Sequence, residues 1–374
     1  MAEKILDNVY AKLGARPIIN AAGHATAMGG TTPSPVVRQA MDNANKYFVE
    51  MWELLEKSGE YIADTLDVEA GYVTCGCYAA LVLSTAACIT GNDSEKMAKL
   101  PDTTGMKSEV LLQKKQQYGF DRAYSIPGSK LVYVGDENGT TSEQLERAIG
   151  QNTAAVAYFV NPGTDSSVVS LEDAVKIAHA HDVPVIADAA SQIYPLDYFR
   201  RTAQTADLAC FGAKYLRATH SSGFVCGKKE LVDAVVGHGF ISGRPFGRGM
   251  KLDRQEIIAV VTALEDWFSM DHEARIQGYI DKLAVIERGV KGVPAVKETK
   301  VVRNNRYWVV DLHVVLDTGF LGKSARQVVS ELDTGNPRIK VSGQGDDTVS
   351  IRVDILEPAD EYIIADRLRS LLIG

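Results

Sequence analysis

The 374-residue chain has little cysteine: Cys75, Cys77, Cys88, Cys210 and Cys226 form an odd set with no C-x-x-C pair. Cys75-Gly-Cys77 is too close for a usual zinc knuckle and has no His pair beside it. The thiols therefore read as reduced, neither a disulfide framework nor a metal site, and a cytoplasmic location is expected. Positive charge is also short. Forty Lys and Arg face 48 Asp and Glu, a net of −8 spread along the chain, with a pI of about 5.5. The basic footprint of a nucleic-acid or membrane-surface protein is missing. Long hydrophobic runs are absent too. Met1 to Asn8 alternates charged and apolar residues, so no secretory leader is expected. The most apolar stretch, Ala79 to Thr90, is one helix of a soluble core, short of the roughly 20 residues that cross a bilayer. There is no repeat, low-complexity tract or Gly/Ser linker. Neither G-x-G-x-x-G nor G-x-x-x-x-G-K-[ST] occurs, which removes the usual evidence for a nucleotide binder.

What is present is an α/β rhythm. Hydrophobic residues make up 45% of a chain long enough for two or three domains by length alone. Val68–Thr74, Lys130–Gly135, Ala154–Val160, Val183–Asp188 and Asp207–Phe211 read as strands. Tyr78–Ile89, Ser142–Ile149 and Leu171–His181 read as helices between them. This predicts a mostly parallel sheet with helices on both faces, in which ligands bind at the carboxyl ends of the strands. From Arg254 to about Val290 helical periodicity dominates. Beyond it, strands over Tyr307–Val315 and Thr348–Val353 with helices over Ser324–Leu332 and Ala359–Leu372 predict a small C-terminal α+β domain. The expected division is an N-terminal segment over 1–44, a large domain over 45–255, and a long connecting helix with the small domain over 256–374. The N-terminal segment is expected to pack with the small lobe or a partner subunit.

Three features fall where such a sheet gathers ligand groups. Asp188 ends an apolar strand in Ile186-Ala-Asp-Ala-Ala-Ser-Gln192. Lys214 follows the next strand in Phe211-Gly-Ala-Lys-Tyr-Leu-Arg217, 26 positions on (214 − 188). Cys75-Gly-Cys-Tyr78 marks a strand turning into a helix. Pyridoxal 5′-phosphate (PLP) fits this set. Lys214 would form the Schiff base, its amine pKa lowered by its surroundings. Asp188 would pair with the protonated ring nitrogen. Free backbone N–H groups of Gly76, Cys77 and Tyr78 would take the phosphate at a helix N-terminus. Singly, each feature also reads blandly: an N-cap aspartate, a loop lysine, a turn glycine. The combination favours PLP over a nucleotide-sugar or dinucleotide binder.

The stretch Ile186 to Gly227, with Asp-Ala-Ala-Ser-Gln, Phe-Gly-Ala-Lys-Tyr-Leu-Arg and Ser221-Ser-Gly223, resembles the fold-type I PLP family related to bacterial selenocysteine synthase. The smaller members of that family include D-glucosaminate-6-phosphate ammonia-lyase. The likeness extends to Ile18-Ile-Asn-Ala-Ala-Gly23, Leu100-Pro-Asp-Thr-Thr-Gly-Met-Lys107, Gly247-Arg-Gly-Met-Lys251 and Asp271-His-Glu-Ala274. It implies the fold-type I PLP-dependent transferase-like architecture, with Lys214 as the Schiff-base lysine, Asp188 on the ring nitrogen, the phosphate on Cys75 to Tyr78, and Ser191 among the cofactor contacts. It also implies a homodimer or higher even oligomer.

The chain departs from the family's pattern near that site. Phe211 stands where relatives have a serine, Ala218-Thr-His220 replaces Gly-Pro-Gln, and His24 replaces a Tyr or Thr. His24 and His220 are candidate acids or bases, whereas His179 and His181 read as solvated. Arg122, Arg248, Arg352 and Lys107 are candidate holders of substrate carboxylate or phosphate. Tyr78 reads as packed behind its helix rather than stacked on the cofactor. The expected activity is a PLP-dependent lyase converting a β-hydroxy or sugar-derived (D-)amino acid to a 2-oxo acid and ammonia. A racemase, aldolase, aminotransferase or non-catalytic PLP-binding protein are the alternatives. The chain is short for selenocysteine synthase itself and shows no tRNA-binding extension.

Overall fold

The structure, a computed structural model, describes residues 9–161, 166–243, 246–304 and 308–373. Tyr307, which opens an expected strand, lies outside the described residues. Contacts divide the chain into two units, Thr32–Ser269 and the combination of Met1–Thr31 with Met270–Gly374.

The first unit is built on a seven-stranded sheet. In spatial order its strands are Ala70–Thr74, Gly223–Gly227, Leu208–Gly212, Val185–Asp188, Thr153–Phe159, Glu109–Gln113 and Lys130–Val134. All run parallel except Gly223–Gly227, which is antiparallel to both neighbours. Because successive residues of a strand face opposite sides, Phe211 and Cys210 are presented to different layers. Phe211 meets Phe199 of helix Leu196–Thr205 and Phe224 of the next strand. Cys210 meets Ser84 of helix Cys77–Thr90. That second helix is apolar all round and buried at nearly every position, as a helix lying inside a layered core must be. Helices thus cover both faces, as the α/β rhythm predicts.

Two strands escape the periodicity. Glu109–Gln113 has only Val110 to Leu112 apolar between polar flanks, and Gly223–Gly227 begins and ends in glycines that read as turns. Helices Pro35–Ala44 and Met51–Leu66 also belong to this unit. Ser34 caps the first through the N–H of Val37, with Pro35 at the first position. Gly59 lets Met51–Leu66 press on the edge strand, since a Cβ there would lie 2.2 Å from the Gly71 carbonyl oxygen.

The expected long helix over 254–290 is two helices, Arg254–Ser269 and His272–Val290. Asp271 caps the second through the N–H of Ala274 at 3.0 Å. Arg254–Ser269 packs on Pro35–Ala44 and Met51–Leu66, so the observed division falls after Ser269 rather than after 255.

The second unit carries an antiparallel sheet ordered Ser342–Gln344, Thr348–Arg352, Val309–Leu316 and Val296–Asn304. The N-terminal Ile18–Asn20 pairs in parallel with Arg338–Lys340. Leu283 and Ile286 of one helix, Leu312 and Ile351 of the sheet, and Leu368 of Asp360–Ile373 form its core. No helix among the described residues is long and apolar enough to cross a membrane.

Two histidine environments bear on stability. His179 is not simply solvated: its Nε2 lies 2.9 Å from both oxygens of buried Asp207. Asp207 also accepts the Val185 N–H and pairs with Lys228. His238 is fully buried with Nε2 2.8 Å from the Thr90 hydroxyl, and burial lowers its pKa to about 4. In the unfolded chain it takes a proton below its ordinary value of 6.5. The unfolded state then binds the extra proton, and stability falls as pH drops from about 6.5 towards 4, by about 3 kcal/mol at most. The denaturant midpoint is expected to fall between about pH 7 and about pH 5 by more in the wild type than in His238→Gln. Equal slopes for the two proteins would rule this account out.

Candidate active site

Asp188 is the last residue of its strand and is buried at 4% exposure. Oδ1 accepts the Ala190 N–H at 3.1 Å and faces the Cys77 Sγ at 3.4 Å. Oδ2 accepts the Tyr118 hydroxyl in a short hydrogen bond. Tyr118 comes just after strand Glu109–Gln113 and stacks on Phe159, the strand residue paired in register with Asp188, with centroids 4.3 Å apart. Tyr124 adds a fully buried ring, and its hydroxyl belongs to the same electrostatic cluster.

Lys214 lies on the short 3-10 turn Ala213–Leu216, which ends at Arg217 in a left-handed conformation (φ 62°). Its Nζ stands 5.1 Å from the Tyr215 ring centroid. Burial lowers the lysine's pKa, partly offset by Cys77. Cys77 itself is pushed well above the ordinary thiol value by burial and then by Asp188, so it stays a neutral thiol. Lys214, Cys77 and Asp188 are therefore electrostatic neighbours. His220 belongs with them: burial lowers its pKa, and the Lys214 charge lowers it further. Its Nδ1 is buried without a hydrogen-bond partner.

The strand-to-helix turn is shaped by backbone contact. Gly76 has φ 94°, a region that disfavours a side chain. Gly223, the last residue of Ser-Ser-Gly, is pressed against it. A Cβ at Gly223 would lie 2.5 Å from the Phe211 carbonyl oxygen, 2.7 Å from the Gly76 carbonyl carbon and 2.8 Å from the Cys77 nitrogen. The glycine of that motif is thus explained by close approach of two chains. The three expected phosphate donors need one correction. The Gly76 N–H is taken by the Thr74 carbonyl at 2.8 Å, because the chain reverses there before the helix starts. Cys77 and Tyr78 remain as first-turn N–H groups, with no acidic residue in that turn. Nearby, the Ser221 hydroxyl donates to Glu256 Oε1 at 2.6 Å.

A partly desolvated amine, a buried carboxylate and an N-terminal pair of helix N–H groups meet within one sheet end. This set suits a cofactor with an aldehyde, a basic ring nitrogen and a phosphate, so the residues fit PLP.

The remaining candidates are placed less specifically. Ser191 is buried and its hydroxyl accepts from Gln192 at 3.2 Å. Tyr78 is exposed rather than packed behind the helix, since it follows directly on the turn at the helix mouth. Arg122 and Lys107 are exposed. Arg248 is exposed and donates to the Phe240 carbonyl at 3.1 Å. His24 and Arg352 belong to the other unit. There His24 Nδ1 is 3.4 Å from Asp354. Arg352 does not present an open fork: Nε and Nη2 bond the two oxygens of Asp311 at 2.8 Å each, and its Nη1 abuts Gly23. Sequence reasoning missed Tyr118, Tyr124 and Phe159. Tyr118 and Tyr124 follow the unexpected strand Glu109–Gln113, and Phe159 ends an expected strand with no signal of what it meets.

No family model matches the chain. It is 32% identical over 266 residues to the D-glucosaminate-6-phosphate ammonia lyase of Salmonella typhimurium, spanning 70% of each. It is 26% identical over 374 residues to a 5′-C-glycyluridine monooxygenase-decarboxylase of Streptomyces sp., spanning 97% of this chain and 92% of that one. A solved D-glucosaminate-6-phosphate ammonia-lyase superposes with a TM-score of 0.87 at 26% identity, covering 98% of both chains.

Gly223→Ala should force the two backbones apart at a cost of about 1–3 kcal/mol and weaken PLP binding roughly tenfold. An absorbance titration with PLP and an unfolding curve check this, and unchanged values in both would refute the close-approach account.

Proposed function

The chain belongs to the PLP-dependent fold-type I family that includes selenocysteine synthase and D-glucosaminate-6-phosphate ammonia-lyase, and from that premise we propose an ammonia-lyase acting on a hydroxylated, sugar-derived amino acid. The observation that carries the reading is the near-complete structural match to the ammonia-lyase. Net, the substrate loses a proton from Cα and hydroxide from Cβ, and the enamine released is hydrolysed to a 2-oxo acid and ammonia. Bound PLP supplies the electron sink for the pair left at Cα.

The protein's part is assigned as follows. Lys214 is the attachment residue, and its Nζ, with a lowered pKa, takes the α-proton. His220, kept neutral by burial and by Lys214, exchanges a proton at Nδ1. Asp188 holds the ring nitrogen, while the Cys77 and Tyr78 N–H groups hold the phosphate with Gly76 shaping the turn. Ser191 supports that pocket. All these cofactor groups lie within 45–255. Arg122, Arg248 and Lys107 are assigned to the substrate's anionic groups. Arg352 and His24 are assigned a supporting role, since the Arg352 fork already holds Asp311. We also read the protein as cytoplasmic and as a homodimer or higher even oligomer. The exposed Tyr47, Phe48 and Trp52 support association, and the five free cysteines fit a reducing compartment.

The match to the monooxygenase-decarboxylase, over almost the whole chain, supports a second reading in which the same site releases carbon dioxide with uptake of oxygen. A panel of D- and L-β-hydroxy and sugar-derived amino acids separates the two. Ammonia and 2-oxo acid in equal amounts support the lyase; carbon dioxide with oxygen consumption supports the second reading. Glycine plus an aldehyde, or scrambled stereochemistry alone, would overturn both. Borohydride should fix PLP to the wild type and not to Lys214→Ala. His220→Ala should lower turnover about a hundredfold while retaining the cofactor, and full turnover would remove His220 from the reaction.

A further inference from the structure

The carboxylate of Asp188 is held from several elements. Ala190 of its own loop and Cys77 at the start of helix Cys77–Thr90 reach Oδ1. Tyr118 reaches Oδ2. Both tyrosines of the cluster are held protonated by burial: Tyr118 next feels Tyr124 and then Asp188, and Tyr124 next feels Asp188. A protonated Tyr118 that donates to Asp188 keeps its own oxygen as an acceptor. The fully buried Tyr124 hydroxyl interacts with that of Tyr118, and since Tyr118 gives its own proton to Asp188, Tyr124 is the donor available to that oxygen. The Tyr118 ring cannot swing freely, because it is stacked on Phe159, which is itself registered against Asp188.

We propose that Tyr118, backed by Tyr124, is the positioning residue that fixes and polarises Asp188, so that one face of the carboxylate is presented to the ring nitrogen of PLP. A donor to Oδ2 stabilises negative charge on the carboxylate and selects one rotamer of it. In the observed orientation Oδ1 keeps the Ala190 N–H and Oδ2 keeps the Tyr118 hydroxyl. The inference rests on the assignment of Asp188 to the ring nitrogen, and its test is built to keep the two apart.

The test compares affinities of the apoprotein for PLP and for the carbocyclic analogue in which the ring nitrogen is replaced by C–H. Tyr118→Phe keeps the ring and its stack on Phe159 and removes only the hydroxyl. It should weaken PLP binding about tenfold and the analogue less than about twofold, because only PLP uses the carboxylate. Tyr124→Phe should act in the same direction and more weakly, and it decides the matter if Tyr118→Phe does not fold. A purely structural tyrosine predicts equal losses for both ligands, and that result, or no loss for either, overturns the proposal. Asp188→Asn serves as the control: it must lose PLP affinity selectively. If it does not, the assignment of Asp188 fails; if it does while both tyrosine variants discriminate as the wild type does, only the role of Tyr118 fails.

Discussion

The arrangement depends on one buried carboxylate placed at the end of a parallel strand. A charge there is costly unless it is met by donors, and the sheet supplies them by bringing separate parts of the chain to one rim. The strand carrying Asp188 lies between the strand ending at Phe159 and the strand leading to Lys214, while the helix packed on one face of these strands starts at Cys77, beside Asp188. The chain order of these groups, 77, 118, 159, 188 and 214, is scattered, and only a doubly wound sheet makes them neighbours. The single antiparallel strand, Gly223–Gly227, completes the enclosure. Its first residue has no side chain because the Gly76–Cys77 peptide occupies that space.

Much of this was legible in the sequence, for physical reasons. A buried strand that ends in Asp188 and a lysine just beyond the next strand are conspicuous because charged residues interrupt apolar runs. The Cys75–Tyr78 turn is conspicuous because glycine separates strand from helix. What was not legible is equally specific. Glu109–Gln113 has only three apolar residues, Val110 to Leu112, between polar flanks, so no strand was apparent there and Tyr118 could not be placed on the rim. The Gly76 N–H looked like a phosphate donor until the turn showed it bonded to Thr74. Arg352 looked like a substrate clamp, and nothing in a linear sequence signals that Asp311, 41 positions away, fills its fork.

The net charge of −8 acquires a meaning from the site. Sites for phosphate and carboxylate need positive potential over a few ångströms, and total charge says little about that scale. On the proposed assignment the cofactor phosphate would be met by the Cys77 and Tyr78 amides at a helix end, near a lysine whose pKa is lowered by burial. The amides add no net charge, and Glu256 stands close by through Ser221. An acidic protein can therefore cradle an anion without a basic patch.

A scaffold of this kind fixes the cofactor more firmly than the reaction. The two relatives described above align in sequence with most of the chain, yet their names denote an elimination of ammonia and an oxygen-dependent decarboxylation. On the proposed assignment, Lys214, Asp188 and the helix mouth would serve any chemistry that begins by placing an electron pair beside the ring. The choice between breaking Cα–H and breaking Cα–carboxylate must then lie in which bond is held perpendicular to the ring and which base stands beside it. On the proposed assignment, the groups that bear on that choice are the substrate's anionic anchors and the Ala218-Thr-His220 segment. His220 has a buried, unsatisfied Nδ1 and a neighbouring cation. A neutral imidazole beside an amine with a lowered pKa gives the site two proton carriers, as proton removal at Cα followed by proton delivery to a departing hydroxyl requires. Decarboxylation needs no base at Cα. The second carrier is thus the feature of this chain that favours elimination.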